Sequence, residues 1–308
     1  MSKRILITGG AGFIGSHLVR HFVGQAEVTV LDDLRGGSER NLQGVACRFL
    51  RGSILDETVL RQAAAGATEV YHLAAMVSVP ESVAKPAECA ELNTEGTRRV
   101  LAAALAAGVQ KVVLASSSAI YGDNPTVPKH ESMPPEPKSP YAATKLAAEH
   151  LLAEYERTHG LGATALRFFN VFGPRQDPLS PYAAAVPIFI AHALRNEPIG
   201  IHGDGGQTRD FIHVTDVVSA LAFTGRTASM KGTYNVGYGE SQSIRALAEA
   251  IIELTGSRSR IEHLPVRAGD VRHSVASTER LRSAGWQPCS SFRAGLAETI
   301  EHFRGLRA

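Results

Sequence analysis

Near its start the chain runs Ile5-Leu6-Ile7-Thr8 and then directly Gly9-Gly10-Ala11-Gly12-Phe13-Ile14-Gly15-Ser16. The first four residues read as a buried strand, and Leu18, Val19 and Phe22 as the apolar face of a helix. Between them Gly9, Gly12 and Gly15, with Phe13 and Ile14 inside the same turn, have a G-x-x-G-x-x-G spacing. Glycines so placed permit a tight turn and let backbone approach a pyrophosphate at the helix N-terminus. An ordinary glycine-rich turn would look the same in isolation. The next strand, Glu27 to Leu31, adds context because it ends in Asp32-Asp33, about twenty residues past the glycines. A carboxylate there accepts from the adenosine ribose hydroxyls and repels a 2′-phosphate, so NAD is expected over NADP. Arg35 argues the other way, since a nearby arginine can accommodate that phosphate.

Strand and helix then alternate. Phe49, Val70-Tyr71-His72-Leu73 and Lys111-Val112-Val113-Leu114-Ala115 mark short strands, and Leu60 to Ala65 and Arg98 to Ala107 are helix formers. This pattern predicts an α/β fold, a doubly wound parallel sheet whose ligands lie beyond the carboxyl ends of the strands. Leu73-Ala74-Ala75 and Ser116-Ser117-Ser118 sit at such ends and are expected to border the cofactor. Asn93, early in a helix, is a cap or a polar contact. No G-x-S-x-G elbow surrounds the serines, which favours a hydroxyl bonding a substrate oxygen over a nucleophile; turn-forming serines are the plain alternative.

Composition narrows the class. The 308 residues suffice for one large domain or two fused ones, and 44% hydrophobic with 20% charged residues is typical of a soluble globular protein. A formal charge of +2 makes no electrostatic case for nucleic acid or an anionic membrane. Cys47, Cys89 and Cys289 lie far apart outside any C-x-x-C, so neither a disulfide frame nor a metal site is expected and a reducing cytoplasm fits. Met1 to Ile7 faintly imitates a signal peptide, but Gly9-Gly10 cuts the apolar run short, and no stretch is long enough to span a bilayer.

The second motif is Ser139-Pro140-Tyr141-Ala142-Ala143-Thr144-Lys145. Ser139 suits a helix N-cap and Pro140 the first helical position, so the spacing of four stacks Tyr141 and Lys145 on one face. Lys145 is then expected to lower a phenol pKa that is ordinarily about 10 toward neutral pH; a solvated helix face is the alternative. The helix should reach about Thr158 and stop at Gly160. Before it, Asp123 to Pro140 reads as a long surface loop. After it comes a strand, Ala163 to Phe169, ending in Asn170, and then the clean alternation fades. Residues 1–170 are therefore expected to form the dinucleotide-binding domain with the catalytic helix, and residues 171–308 mainly a smaller α/β substrate-binding region, some chain returning to the first.

Taken in order, Gly9, Gly12, Gly15, Asp32, the serine run, Tyr141 and Lys145 resemble the extended short-chain dehydrogenase/reductases, a Rossmann-fold family, over nearly the whole chain. More closely the chain is similar to the UDP-sugar 4-epimerases of the UDP-galactose and UDP-N-acetylglucosamine type. Tyr121-Gly122, Phe168-Phe169-Asn170, Arg209 to His213 and Arg267 to Ser274 also match. The resemblance implies an isomerase with tightly bound NAD that inverts C4 of a UDP-hexose through a transient 4-keto sugar, in carbohydrate metabolism such as polysaccharide biosynthesis. Tyr141 would be the acid/base, Lys145 would hold the nicotinamide ribose, and Ser117 would bond O4, with Ser116 and Ser118 as alternatives. Asn170 would hold the diphosphate, Arg209 and Arg267 would neutralise it, Asp270 would accept from the uridine ribose and His202 would lie beside the uracil; Ser118 and Val186 complete the substrate contacts. Ser53-Ile54 stands where relatives carry an aspartate facing adenine.

Two features discriminate within the family. Dehydratases place Asp-Glu after the Ser/Thr, whereas Ser118-Ala119 stands here, which disfavours dehydration. Ser274 occupies the place of a bulky tyrosine in glucose/galactose-restricted epimerases, leaving room for an N-acetyl group. UDP-GlcNAc/UDP-GalNAc is expected, with UDP-glucose/UDP-galactose or a UDP-glucuronate decarboxylase/epimerase as alternatives and a non-enzymatic NAD-sensing regulator as a different class. Relatives pair through two helices, which here would be those after Asn93 and Tyr141, so a cytoplasmic homodimer is expected.

Overall fold

In the computed structural model, which describes residues 3–178, 184–266 and 271–306, β1 (Arg4–Thr8) is buried beyond its first residue and enters α1 (Phe13–Phe22) through the glycine turn. There follow β2 (Glu27–Asp32), β3 (Arg48–Arg51), α2 (Glu57–Ala64), β4 (Glu69–His72), α3 (Val79–Ala84), α4 (Pro86–Ala90), α5 (Gly96–Ala106), β5 (Lys111–Ser117), α6 (Pro140–His159) and β6 (Gly162–Phe168). These strands and Gly232–Val236 form one seven-stranded sheet in the order Gly232–Val236, β6, β5, β4, β1, β2, β3. All pairings among β1 to β6 are parallel. The chain works outward from β1 in one direction through β2 and β3, then returns to β4 and works outward in the other. That reversal places the carboxyl ends of β1 and β4 side by side, the position at which an open α/β sheet takes its ligand.

Parallel strands covered on both faces carry nearly continuous apolar runs, and β5 is buried from Lys111 to Ser116. Leu6, Leu31, Val70, Val112 and Leu114 of the sheet join Leu60, Leu101 and Leu152 of the helices in one core. Each such side chain contributes about 1.5–3 kcal/mol on burial. Caps set the helix ends: Asp56 accepts from Thr58 N and Val59 N at the start of α2, and Ser139 accepts from Ala142 N at the start of α6. The αL residue Gly160 (φ +67°) ends α6 as expected, the helix running to His159.

The chain divides into two compact units, the first taking in the residues up to Gly122, Pro134–Phe168 and Val218–Tyr234, the second Asp123–Met133, Phe169–Val217 and the chain from Asn235 onward. The expected surface loop from Asp123 is largely exposed, as its proline and charge predict, but its first half belongs to the second unit and is anchored there at one buried residue. Lys129 is only 1% exposed, its N–H donates to Val275 O (2.7 Å) and its carbonyl accepts from Ser277 N (2.8 Å). Proline and charge on this segment concealed a backbone pairing made far along the chain. In the second unit the helices Ala185–Leu194, Ile244–Thr255 and Phe292–Gly305 surround Phe172, Ile190, Leu247, Ile251, Leu296 and Ile300.

Gly122 closes the turn after β5 at φ +60°, and a Cβ there would lie 2.0 Å from the Glu136 carbonyl oxygen. Gly122→Ala is expected to destabilise the protein by at least about 1–3 kcal/mol, read as a lower urea midpoint; an unchanged midpoint would show that the turn relaxes freely.

Candidate active site

The glycine turn is shaped for close approach. A Cβ on Gly9 (φ +72°) would sit 2.6 Å from Ala74 N, and one on Gly15 2.1 Å from the Gly9 carbonyl oxygen, so both positions require glycine for packing. A Cβ on Gly12 would meet only the Gly9 oxygen, at 3.2 Å. The absence of a side chain at Gly12 thus leaves its backbone uncovered, which suits a pyrophosphate. Phe13 and Ile14 begin α1 directly behind it. Leu73 N donates to Thr8 O (3.1 Å) and Ala74 N to Thr8 Oγ1 (3.4 Å), so Leu73, Ala74 and Ala75 form the facing wall.

At the end of β2 the Asp32 carboxylate accepts from Ala11 N (2.9 Å) through one oxygen and from Leu34 N (2.8 Å) through the other. Each oxygen keeps further acceptor capacity, as a ribose diol needs. Burial pushes the Asp32 pKa up, opposed by those two N–H groups. Asp33 accepts from Arg35 N (3.0 Å), and the Arg35 guanidinium is paired with Glu88. The arginine that could have favoured a 2′-phosphate is thus already engaged. These residues fit an NAD molecule.

Ser53-Ile54, just past β3, and Asn93, just before α5, make contacts of their own. Ile54 is 3% exposed and packs in the core against Gly96, so its side chain is unavailable to adenine; Ser53 Oγ accepts from Leu55 N (3.2 Å). Asn93, in the π-helical turn Glu91–Glu95, is a polar tie rather than a cap. Its Oδ1 accepts from Met76 N (2.7 Å), and its Nδ2 donates to Met76 O and to Thr144 Oγ1, both at 3.0 Å. It holds the chain just past Leu73-Ala74-Ala75 against α6. His72, unremarked in the sequence, ties the end of β4 to β1 and α5 by bridging Thr8 Oγ1 (2.7 Å) and Thr97 Oγ1 (3.0 Å), and burial lowers its pKa to about 3, so the ring is neutral.

Along α6, Tyr141 and Lys145 share a face that points at the end of β5. Lys145 Nζ donates to Ala115 O (2.9 Å) and stands 5.9 Å from the centre of the Tyr141 ring. The backbone N–H of Tyr141 donates to Ser82 Oγ (3.1 Å), which fixes the first turn. Ser117 Oγ accepts from Ala119 N (3.1 Å), and Ser117 is the side chain whose influence lowers the Tyr141 pKa. Ser116 Oγ is instead committed to Glu149 Oε1 at 2.5 Å, and Ser118 begins the short turn Ser118–Tyr121. Of the three serines, Ser117 is the one brought to the phenol.

The expected electrostatics need correction. Burial raises the Tyr141 pKa above its ordinary value, and the group that lowers it is Ser117 rather than Lys145. Lys145 is itself 5% exposed, and burial brings its pKa down to about 8, with Cys89 and Glu149 opposing. Desolvation of both partners outweighs the pairwise attraction that the spacing alone suggests.

In the second unit three predicted substrate residues gather around a fourth that the sequence motifs did not single out. Thr208–Arg209 pairs with His273–Ser274 so that Arg209 lies opposite Ser274, and Asp210 N donates to Ser274 O (2.9 Å). The Asn170 side-chain amide donates to Asp210 O (3.3 Å). The Asp210 carboxylate, fully buried, accepts from Tyr238 N (2.8 Å), Gly239 N (2.9 Å) and Ala276 N (3.1 Å). It ties the chain segments carrying these residues together, and burial pushes its pKa up to about 6. His202 ends the strand Ile199–His202 with Nδ1 donating to Pro265 O (2.8 Å). Val186, 1% exposed, packs in the apolar core of this unit and presents no side-chain surface to a substrate. Arg267 and Asp270 lie outside the described residues.

Residues 5–237 match the NAD dependent epimerase/dehydratase family. A UDP-glucose 4-epimerase of Mycolicibacterium smegmatis is 40% identical over 309 residues, 98% of each chain. Among solved structures, the UDP-N-acetylglucosamine 4-epimerase from Methanobrevibacter ruminantium M1, in complex with UDP-N-acetylmuramic acid, superposes with a TM-score of 0.95 at 37% identity over 99% of each chain. The Thermus thermophilus UDP-glucose 4-epimerase, in complex with NAD, superposes with a TM-score of 0.91 at 39% identity, covering 98% of this chain and 99% of that one.

A buried ammonium with depressed pKa is held at the expense of stability. Lys145→Met is expected to weaken NAD binding while leaving the thermal midpoint of the protein without added ligand unchanged or raised by up to about 4 °C, the shift that roughly 1 kcal/mol produces in a chain of this size class. Calorimetry and NAD titration check both; a midpoint several degrees lower would mean that Lys145 is a net structural contact.

Proposed function

Because the chain belongs to the NAD dependent epimerase/dehydratase family, we propose that it interconverts UDP-GlcNAc and UDP-GalNAc by inverting the sugar at C4. At the coarser level it is an NAD-dependent UDP-sugar 4-epimerase, an isomerase. The observation that carries the finer reading is Ser274 in register with Arg209. A serine beside a diphosphate-neutralising arginine leaves space for the C2 N-acetyl group that a larger side chain would fill.

NAD, when bound, supplies a reversible acceptor for the hydrogen at C4 with its electron pair. The protein's own groups do the rest. Tyr141 Oη, in its ionised form, takes the proton from the sugar 4-hydroxyl and later returns it, which as general acid–base catalysis contributes roughly 10²–10⁴-fold. Ser117 hydrogen-bonds O4 during both transfers, beside the Tyr141 phenol whose pKa it lowers. Lys145 holds the nicotinamide ribose, Asp32 the adenosine ribose and the turn from Gly9 to Gly15 the pyrophosphate. Asn170, Arg209, Arg267 and Asp270 take the uridine diphosphate, leaving the hexose to turn over between the two transfers. Holding the reactants near attack distance supplies about 7–11 kcal/mol of the barrier. With Ser118-Ala119 where an acid and a base would be needed, elimination of water has no catalyst. A homodimer through α5 and α6 and a cytoplasmic location belong to the same proposal; no helix among the described residues is long and apolar enough to cross a membrane.

Incubating purified protein with UDP-GlcNAc and separating the products by chromatography is expected to give UDP-GalNAc without net consumption of NAD. Tyr141→Phe should lower kcat by about 10²–10⁴-fold with NAD still bound; near-parental turnover would remove Tyr141 from the acid/base role. Ser274→Tyr should lose the N-acetylated substrates selectively while UDP-glucose is still turned over, and equal retention of both classes would refute the size argument.

A further inference from the structure

Behind the Tyr141–Ser117 pair lies a buried ionic cluster that no step above uses. Arg167 of β6 and Glu149 of α6, 5% and 6% exposed, form a two-pronged ion pair, Nε to Oε1 at 2.9 Å and Nη2 to Oε2 at 2.7 Å. The remaining guanidinium nitrogen, Nη1, donates to the Tyr121 hydroxyl (2.9 Å), and the guanidinium carbon lies 4.9 Å from the centre of the Tyr121 ring. Ser116 Oγ donates to Glu149 Oε1 at 2.5 Å. Ser116 and Arg167 are also register partners on adjacent strands.

A buried ion pair is commonly no more stabilising than well-packed apolar side chains of the same volume, so stability alone does not account for it. Its placement does. Ser117 lies between Ser116, held by Glu149, and Tyr121, held by Arg167, so one ion pair clamps both ends of the six-residue segment that presents Ser117. Glu149 is also one helical turn beyond Lys145 and two beyond Tyr141, so the same pair fixes how far along and around its axis α6 sits against β5.

We propose that Ser116, Glu149 and Arg167 are positioning residues that hold the Ser117 hydroxyl against the Tyr141 phenol. The proposal rests on the acid/base reading of Tyr141. It takes Ser116 as its handle because Ser116→Ala deletes one hydroxyl and leaves the ion pair intact. Ser116→Ala is expected to lower kcat about 10- to 100-fold, up to the lower end of the roughly 10²–10⁴-fold that acid–base catalysis contributes, with KM for the UDP-sugar within about twofold and the thermal midpoint within about 4 °C. Ser116→Thr, which keeps the hydroxyl, should restore most of kcat. In a Ser117→Ala background the same change should have no further effect, since its target is gone.

A readout independent of turnover is the ionisation of Tyr141 in the NAD-loaded protein, followed as the ultraviolet difference between parent and Tyr141→Phe across pH. The groups that bear on the phenol are Ser117 from β5, Lys145 from α6 and Cys89 from α4. Because Ser117 is the one that lowers its pKa, Ser116→Ala should move the titration to higher pH. An unmoved titration, parental kcat, or a full kcat loss persisting in the Ser117→Ala background would overturn the proposal. If the parent turns over no UDP-hexose, the functional reading fails, while the titration still decides whether Ser116 positions Ser117.

Discussion

Docking the polar face of α6 onto the carboxyl end of β5 is the contact on which the first unit's chemistry depends. The face carries a phenol, an ammonium and a carboxylate at successive turns; Lys145 bonds Ala115 O and Glu149 bonds Ser116 on β5, while Ser117 lowers the Tyr141 pKa. Removing such groups from water is unfavourable unless their partners are in place. Helix and strand are therefore held to one relative register, since a shift by a single residue would leave buried charges without partners. The depressed pKa of Lys145 and the raised pKa of Tyr141 record the same desolvation.

The sheet supplies the other half of the geometry. Strand order reverses between β1 and β4, so the glycine turn after one and Leu73-Ala74-Ala75 after the other face each other across backbone contacts too close for any side chain at Gly9. Asp32 closes the far end of that trough with both oxygens anchored by backbone N–H groups. Neutral His72 and buried Asn93 brace the wall from behind. In the second unit Asp210 plays the comparable part, gathering three backbone N–H groups so that Arg209, Ser274 and Asn170 lie together.

What was legible in the sequence was local. The strand–glycine–helix turn, the Ser139 cap, the Gly160 stop and the stacking of Tyr141 with Lys145 all follow from φ/ψ preferences and contacts within about one helical turn. The groups that arrange the site are not local: Ser116 meets Glu149 across 33 residues, Arg167 meets Tyr121 across 46 and Asp210 meets Tyr238 across 28. No periodicity reports such pairs, and Ser116 and Ser117 have the same chemistry until their partners are known. Val186 and Ile54 show the converse, since positions beside candidate site residues can still turn their side chains into the core. Segment 123–133 is the exposed loop that its proline and charge signal, but its anchor, the pairing of Lys129 with Val275 and Ser277, lies too far along the chain to be read locally. Glu149 did carry a usable signal, its place one further turn along the Tyr141–Lys145 face.

The proposed cycle takes the hydrogen from C4 and returns it to C4 on the opposite face, with Tyr141 handling only the hydroxyl proton. Turnover of UDP-GlcNAc deuterated at C4, analysed by mass spectrometry and NMR of the epimerised sugar, tests this most directly. Deuterium retained at C4 of the product is the expected result. Its loss to solvent, or its appearance at another carbon, would contradict a closed redox cycle at that position.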